Sequence, residues 1–451
     1  MNLQEFHAAL DPEKLLPEVL EMLKKLVAFD TVRRPAEPGM PFGKKSAEAL
    51  NWLVDKAKED GFTAVNLDNY CGYIEYGDGP EMFAVACHLD TVPTGDPAEW
   101  TTPPLEMTLR DGAVYGRGCS DDKGPIAAVY TLMRELKAQN VKLKRRMRLI
   151  VGCGEETGSS CLDYYREHAE IPKYGITADA GYPVICGECG IIHFTLERVF
   201  RDGENKLKLT AGTVVNAVPG KAEAEYEGKK FSAVGRAAHA SRPYLGENAL
   251  VKLCKELAGK VDSDFPELVL KANPADLKLD FEDEYSKLTL VPSLAEVNEK
   301  HAMLKCDIRF PVTLKDPNAA HLDDEAEKGG NDPVKMKIQD VIYPLARGFA
   351  GTKYLLSLDQ ADNPLFFPPD TPFINELLKA YIEVTGDKEA KPLVIGGGTY
   401  AKHLPNTVAF GGTFPGIPST AHEVNERWRI EDIKLNLKVL SRAFAVLDEL
   451  D

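Results

Sequence analysis

The stretch Met82-Phe-Ala-Val-Ala-Cys-His88-Leu-Asp90-Thr-Val-Pro93 decides how this chain is read. Met82 to Cys87 is apolar and predicts a strand, and the period-2 geometry of a strand puts His88 and Asp90 on one side of its end. The pattern recurs. Arg146-Met-Arg-Leu-Ile-Val-Gly-Cys153 stops at Gly154-Glu155-Glu156, and Tyr174-Gly-Ile-Thr-Ala178 stops at Asp179. Between them, Asp121-Asp-Lys-Gly-Pro125 precedes the helical run Ile126 to Leu136, with Pro125 suited to a first helical turn. Ligands of an open α/β sheet gather beyond the carboxyl ends of its strands, so these acids and His88 are expected to meet in space as a metal site.

Working outward, 451 residues predict two to three domains at about 150 residues each. Hydrophobic content of 44% and charged content of 27% are ordinary for a globular protein. A formal net charge of −16 argues against nucleic acid and anionic membrane as partners, since both select clustered basic surface. Nine cysteines without a repeated spacing do not make a disulfide framework. Cys186-Gly-Glu-Cys189 has the spacing of a redox or zinc pair but lacks a second pair, so a structural role is expected. Free thiols and the lack of a basic-then-apolar N-terminus lead to the expectation of a cytoplasmic protein. No apolar run approaches the roughly 20 residues that span a membrane.

Helical spacing appears at Pro17 to Phe29 and at Ser46 to Asp60, the latter stopped by Gly61. From about Pro183 the texture changes to alternating strands such as His193 to Phe200, then a helix around Asn248 to Leu257. Strands at Leu288 to Val291 and Ala302 to Phe310 follow, with polar insertions from His321 to Asp332. The proline-rich Asn363 to Pro372 reads as a boundary. Amphipathic helix returns at Phe373 to Val384, and a last helix from about Ile430 is expected to pack back on the first domain. The fold class is therefore α/β: a catalytic domain with a central, mostly parallel sheet flanked by helices (1–185 and 371–451), carrying an inserted α+β domain (186–370).

Zinc and manganese accept imidazole nitrogen and carboxylate oxygen, and a two-metal hydrolase needs about two ligands per ion plus one bridging carboxylate. The spaced acids, with His422 in Ser419-Thr-Ala-His-Glu-Val-Asn-Glu426, offer that set. Asp90 is placed to accept from the second nitrogen of His88 and fix its orientation. Taken together, His88-Leu-Asp90, Gly116-Arg-Gly-Cys-Ser-Asp-Asp-Lys-Gly124, Glu155-Glu156, Asp179 and His422 resemble the co-catalytic metallopeptidases of the aminoacylase and carboxypeptidase G superfamily. Within it the likeness is greatest to dipeptidases of the peptidase V type. It extends through Asn216-Ala-Val-Pro219, Gly235-Arg-Ala-Ala-His-Ala-Ser-Arg-Pro243, Gly246-Glu-Asn-Ala249, Arg309-Phe-Pro311 and Gly396-Gly-Gly-Thr-Tyr400.

The resemblance implies roles. His88 and Asp179 would bind one metal, Glu156 and His422 the other, and Asp121 would bridge, while Glu155 acts as general base. His239 would stabilise the oxyanion, and Arg309 would hold the substrate's free carboxylate. Asn216, Gly397, Thr399 and Tyr400 are further expected substrate contacts. Two divalent ions are implied, zinc first, with manganese or cobalt as alternatives. The insert then acts as an enlarged lid over a small peptide, and a monomer is favoured over a homodimer. Asp121 rather than Asp122 is expected to bridge, with Asp122 as the alternative and otherwise capping the helix or meeting Lys123. His193, His301 and His403 are read as structural. Cys119 and Gly181 depart from the family pattern without removing a ligand. The expected function is hydrolysis of dipeptides; the competing readings are an N-acyl-amino-acid deacylase or carboxypeptidase, and a non-catalytic metal-binding paralogue.

Overall fold

A computed structural model describes residues 1–314 and 335–451; the polar insertion predicted at His321 to Asp332 lies outside the described residues. The chain divides into two compact units, 1–186 with 367–393 and 399–451, and 187–366 with 394–398.

The first unit is built on strand Met82–His88, buried along its whole length. It pairs parallel with Arg146–Gly152 on one side and Tyr174–Thr177 on the other, and Thr407–Ala409 continues the parallel run. Beyond Arg146–Gly152 the sheet turns antiparallel through Cys71–Tyr76 and Thr63–Leu67. Those two strands are joined by a short turn in which Asp68 and Asn69 both have positive φ, and so short a connection can only make a hairpin. Ile185–Glu188 adds antiparallel to Thr407–Ala409. The sheet is thus parallel at its centre and antiparallel at its margins, more mixed than the sequence predicts.

Helices cover the sheet because their apolar stripes have nowhere else to go. Pro12–Val27 starts on an Asp11 cap with Pro12 in its first turn, and buries Leu15, Val19, Met22, Leu23 and Leu26. Lys123–Ala138 is buried on nearly every side and packs on Met82–His88. The C-terminal helix, Ile430–Glu449, packs on Leu3–Ala9, Pro12–Val27, Lys123–Ala138 and Pro372–Thr385, as expected. Its Phe444 lies 6.1 Å from the Phe83 ring. Burying a side chain of this size stabilises by about 1.5–3 kcal/mol, which fastens the end of the chain to the central strand.

The second unit is an antiparallel sheet in the order Lys229–Val234, Lys221–Tyr226, Lys208–Ala211, Thr289–Val297, His301–Phe310, Gly190–Val199, Leu355–Asp362. Strand alternation divides its faces. Ile192, Phe194, Leu196, Leu304, Cys306 and Ile308 point into a core shared with helices Ala249–Leu257, Phe265–Lys271 and Ile338–Phe349. The intervening residues, His193, Asp307 and Arg309 among them, therefore stand on the opposite face.

Candidate metal centre

Parallel pairing aligns the strand ends of the first unit. His88 is in register with Gly152, and the main-chain N–H of Leu89 donates to the Gly152 carbonyl at 2.9 Å. The loop Cys153 to Glu156 therefore leaves the sheet beside His88, and Asp179 leaves it two residues past the neighbouring Tyr174–Thr177. Gly152 cannot carry a side chain, since a Cβ there would lie 1.9 Å from the Tyr400 hydroxyl. A Cβ on Gly124 would likewise meet the Cys119 carbonyl at 2.2 Å, so the first turn of Lys123–Ala138 seats tightly against the loop that carries Asp121. The Asp121–Asp122 peptide is cis.

The expected groups converge. His88 Nε2 lies 3.0 Å from Asp121 Oδ1 and 3.5 Å from Asp179 Oδ2. His422 Nε2 lies 3.0 Å from Asp121 Oδ2 and 3.0 Å from Glu156 Oε1. Asp121 thus turns one oxygen to each imidazole. Donor atoms of His88, Glu155 and Asp179 lie within 4.8 Å of one another, as do those of His88, Asp121 and Glu156.

Asp122 faces elsewhere. Its Oδ2 accepts from the main-chain N–H of His88 at 3.0 Å, and its buried Oδ1 has no partner among the described residues. Asp122 stands at the N-cap position, but its side chain neither caps the helix nor meets Lys123, whose ammonium donates to the Phe29 carbonyl at 2.8 Å. Asp90 also differs in detail from its expected part. The second nitrogen of His88, Nδ1, lies 2.9 Å from the main-chain carbonyl of Asp90 and 3.6 Å from its Oδ1. The Asp90 carboxylate accepts instead from the main-chain N–H groups of Glu155, at 3.1 Å, and Glu156, at 3.0 Å. One residue therefore orients the imidazole and anchors the loop of the two glutamates.

The electrostatics of this cluster test whether divalent cations fit. Burial pushes Glu155 well above the usual carboxylate range, and the charge of Asp179 adds to it. Glu156 and Asp179 are raised as well, first by burial, with the charge of Asp121 adding to each. Burial acts on Asp121 in the same sense, but hydrogen bonds with His422 and His88 overcome it and hold that carboxyl low. Hydrogen bonds to Asp121 and Glu156 push His422 up to about 11. Crowded acids that cannot comfortably ionise together, interleaved with imidazoles, are relieved by two hard or borderline cations, so the donor set fits them.

Tyr400 is not at the surface of this cluster but behind it. It is fully buried, its ring stands edge-on to His88 with centroids 6.0 Å apart, and its hydroxyl lies 3.0 Å from the Cys161 sulfur. Thr399, also buried, uses its hydroxyl to cap the short turn Tyr400–Lys402, accepting from the Ala401 N–H at 3.1 Å. Cys119 is buried and directs its thiol to the Val114 carbonyl. Cys186 and Cys189 are buried, with their thiols on the Leu393 carbonyl and the Ser286 hydroxyl.

The remaining expected groups belong to the second unit, which gathers them on its own. Ala217–Val218 pairs with Ala238–His239, and the Ala240 N–H donates to the Asn216 carbonyl at 2.8 Å, so Asn216 and His239 are neighbours. The Ser241 N–H donates to His239 Nδ1 at 3.1 Å, which places the proton of the neutral ring on Nε2. Ser241 packs on Gly396, where a Cβ would lie 2.5 Å from the serine Cβ, and Gly397 follows directly. Arg309 Nη1 donates to the Gly396 carbonyl at 3.0 Å. Its Nε and Nη2 form a side-on fork on Asp307 at 2.8 and 2.7 Å. His193 Nε2 contacts the same Asp307 at 2.9 Å. Sequence reading missed Asp307, although its i+2 relation to Arg309 on a strand was the available signal. It also missed Glu426, a fully buried carboxylate two residues before Trp428.

Comparison with known proteins gives the same direction. YtjP of Bacillus subtilis (strain 168), which carries a provisional dipeptidase name, is 31% identical, the match covering 96% of each chain. The Beta-Ala-Xaa dipeptidase of Lactobacillus delbrueckii subsp. lactis is 30% identical over 94% of this chain and 95% of its own. The crystal structure of human carnosine dipeptidase 1 shares the fold, with a TM-score of 0.61 at 16% identity and 99% of both chains covered. The family profile described as peptidase family M20/M25/M40 matches residues 84–445, and with the strand-end cluster in place it follows that the chain belongs to that family.

Proposed function

We propose that the protein is a dinuclear-metal dipeptidase, and the observation that carries this reading is Asp121, presenting one oxygen to each of two imidazoles at 3.0 Å. His88 and Asp179 would hold one ion, Glu156 and His422 the other, and Asp121 both. Zinc suits the nitrogen and oxygen donors best, with manganese or cobalt as alternatives. When bound, the pair supplies Lewis-acid polarisation of the scissile carbonyl and a water of lowered pKa.

The chain's own residues supply the rest. Glu155, adjacent to a ligand and held through its main-chain N–H by Asp90, takes the proton of the attacking water and returns it to the leaving amine. His239 donates from Nε2 to the carbonyl oxygen as it gains charge. Three of the five N–H groups of Arg309 are spent on Asp307 and Gly396, so the substrate carboxylate meets the end-on pair, one N–H from each Nη. Asn216, Gly397 and Thr399 line the substrate's path, a monomer is favoured over a homodimer, and the free thiols support a cytoplasmic setting.

Turnover by metal-stripped protein, reloaded separately with zinc, manganese and cobalt, tests this on free dipeptides, tripeptides and N-acetylated amino acids. Cleavage of free dipeptides alone, lost in Glu155→Gln by at least about 100-fold, is the expected result. Preference for acetylated substrates would move the assignment to a deacylase, and silence with every metal would refute an enzyme.

A further inference from the structure

Glu426 is the most heavily bonded carboxylate near the metal centre, yet it belongs to none of the ligand positions. Strand Arg427–Arg429 pairs antiparallel with Ala113–Tyr115, and the Gly116 N–H donates to the Glu426 carbonyl at 3.1 Å, which lays this residue against the loop from 116 to 121. Its side chain is fully buried there. Oε1 accepts from the Ser120 N–H at 2.9 Å, the Ser120 hydroxyl at 2.9 Å and the Asp121 N–H at 3.2 Å. Oε2 accepts from the Gly118 N–H at 2.9 Å and from Arg117 Nη1 at 2.8 Å. Arg117 is itself buried, and its guanidinium lies 5.3 Å over the Trp100 ring.

Resting on the metal-centre reading above, we infer that Glu426 is the positioning residue of the dinuclear site: it sets the main chain of Asp121, and through it the direction of the bridging carboxylate. The physical argument has two parts. A main chain held at Gly118, Ser120 and Asp121 by one ionised acceptor has little freedom to rotate, so both Asp121 oxygens stay aimed at His88 and His422. Glu426 also lies four residues after His422, so one short segment carries an imidazole and fixes the carboxylate that faces it. The negative charge of Glu426 is spent on Arg117 and on main-chain donors, which leaves it as support and not as a ligand.

A purely structural role for this buried ion pair makes a different prediction, and the two separate experimentally. Glu426→Met removes every acceptor and leaves Arg117 charged and uncompensated; the double variant Arg117→Met with Glu426→Met restores neutrality without restoring the acceptors. The readouts are the thermal midpoint of the metal-free protein, cobalt(II) titration followed by its visible absorption, and kcat and KM on a dipeptide. The double variant is expected to recover part of the thermal midpoint lost in the single one, the share due to the uncompensated charge, while binding cobalt about 10–100-fold more weakly than the unaltered protein. In both variants kcat falls and KM stays within about two-fold, because ground-state substrate binding is not what Glu426 supports. Wild-type cobalt affinity in the double variant, affinity that simply tracks thermal stability, or failure of both variants to fold would overturn the positioning role. If the unaltered protein binds two cobalt ions but cleaves no dipeptide, the proposed function falls while the affinity comparison still decides this one.

Discussion

Asp90 shows how much one carboxylate organises at the scale of a residue. Its two oxygens hold the main-chain N–H groups of Glu155 and Glu156, while its own carbonyl faces His88 Nδ1. Replacing it by asparagine sets an NH2 group against one of those two donors and frees the glutamate loop. We expect Asp90→Asn to weaken metal binding and lower kcat, each by about 10–100-fold, as for other groups that support ligands. Equilibrium dialysis with zinc and steady-state kinetics measure the two effects; a variant with unchanged affinity would reduce Asp90 to a loop anchor. The adjacent pairs are instructive too. Asp121 and Asp122 are indistinguishable by type and position in sequence, yet one faces two imidazoles and the other is turned to the His88 main chain.

At the scale of an element, strand His301–Phe310 carries both a core face and a polar face, and its i, i+2 alternation alone puts Asp307 beside Arg309. The antiparallel register adds the rest, because His193 of Gly190–Val199 stands directly opposite Asp307. Burial raises the Asp307 carboxyl, but hydrogen bonds with His193 and Arg309 more than reverse this, so its pKa lies below the ordinary 3.8. A folded-state value below the unfolded one means stability that is complete above the unfolded pKa and is lost as the pH falls through the folded one. Urea midpoints taken between about pH 5 and pH 2 should therefore fall steeply for the unaltered protein and less steeply for Asp307→Asn. Parallel slopes would show that this carboxylate does not contribute to the acid limb. The variant is expected to be weaker at neutral pH as well, since Arg309 keeps its charge while Asp307 loses its own and one of the three oxygens that accept from Arg309 becomes an NH2 group.

For the whole molecule, the proposed metal centre draws on segments from His88 to His422, so the residues that would hold the ions come together only in the folded first unit. Ions that bind the folded chain and not the unfolded one add stability by mass action, about 2.7 kcal/mol at a free concentration 100 times the dissociation constant. Chelation should lower the thermal midpoint by several degrees and zinc should restore it, with Glu155→Gln behaving as the unaltered protein; calorimetry with and without chelator checks this. An unchanged midpoint would mean that the ions are not held by this cluster. The sequence by itself determined the acids at strand ends, the helices that cover them and the family, because apolar periodicity and the chemistry of metal donors are both local properties of the chain. It also carried the motifs of the inserted region, such as that around His239, but not which residues they would meet. Only the tertiary structure decided that Asp121 and not Asp122 faces the imidazoles, that Tyr400 lies behind the site, that the sheet turns antiparallel at its margins, that Asp307 takes Arg309 and His193, and that Glu426 takes Arg117 and the main chain at Asp121. Those outcomes depend on register and on which of two oxygens finds a donor, and both are set by strand pairing between segments as distant as Ala113–Tyr115 and Arg427–Arg429.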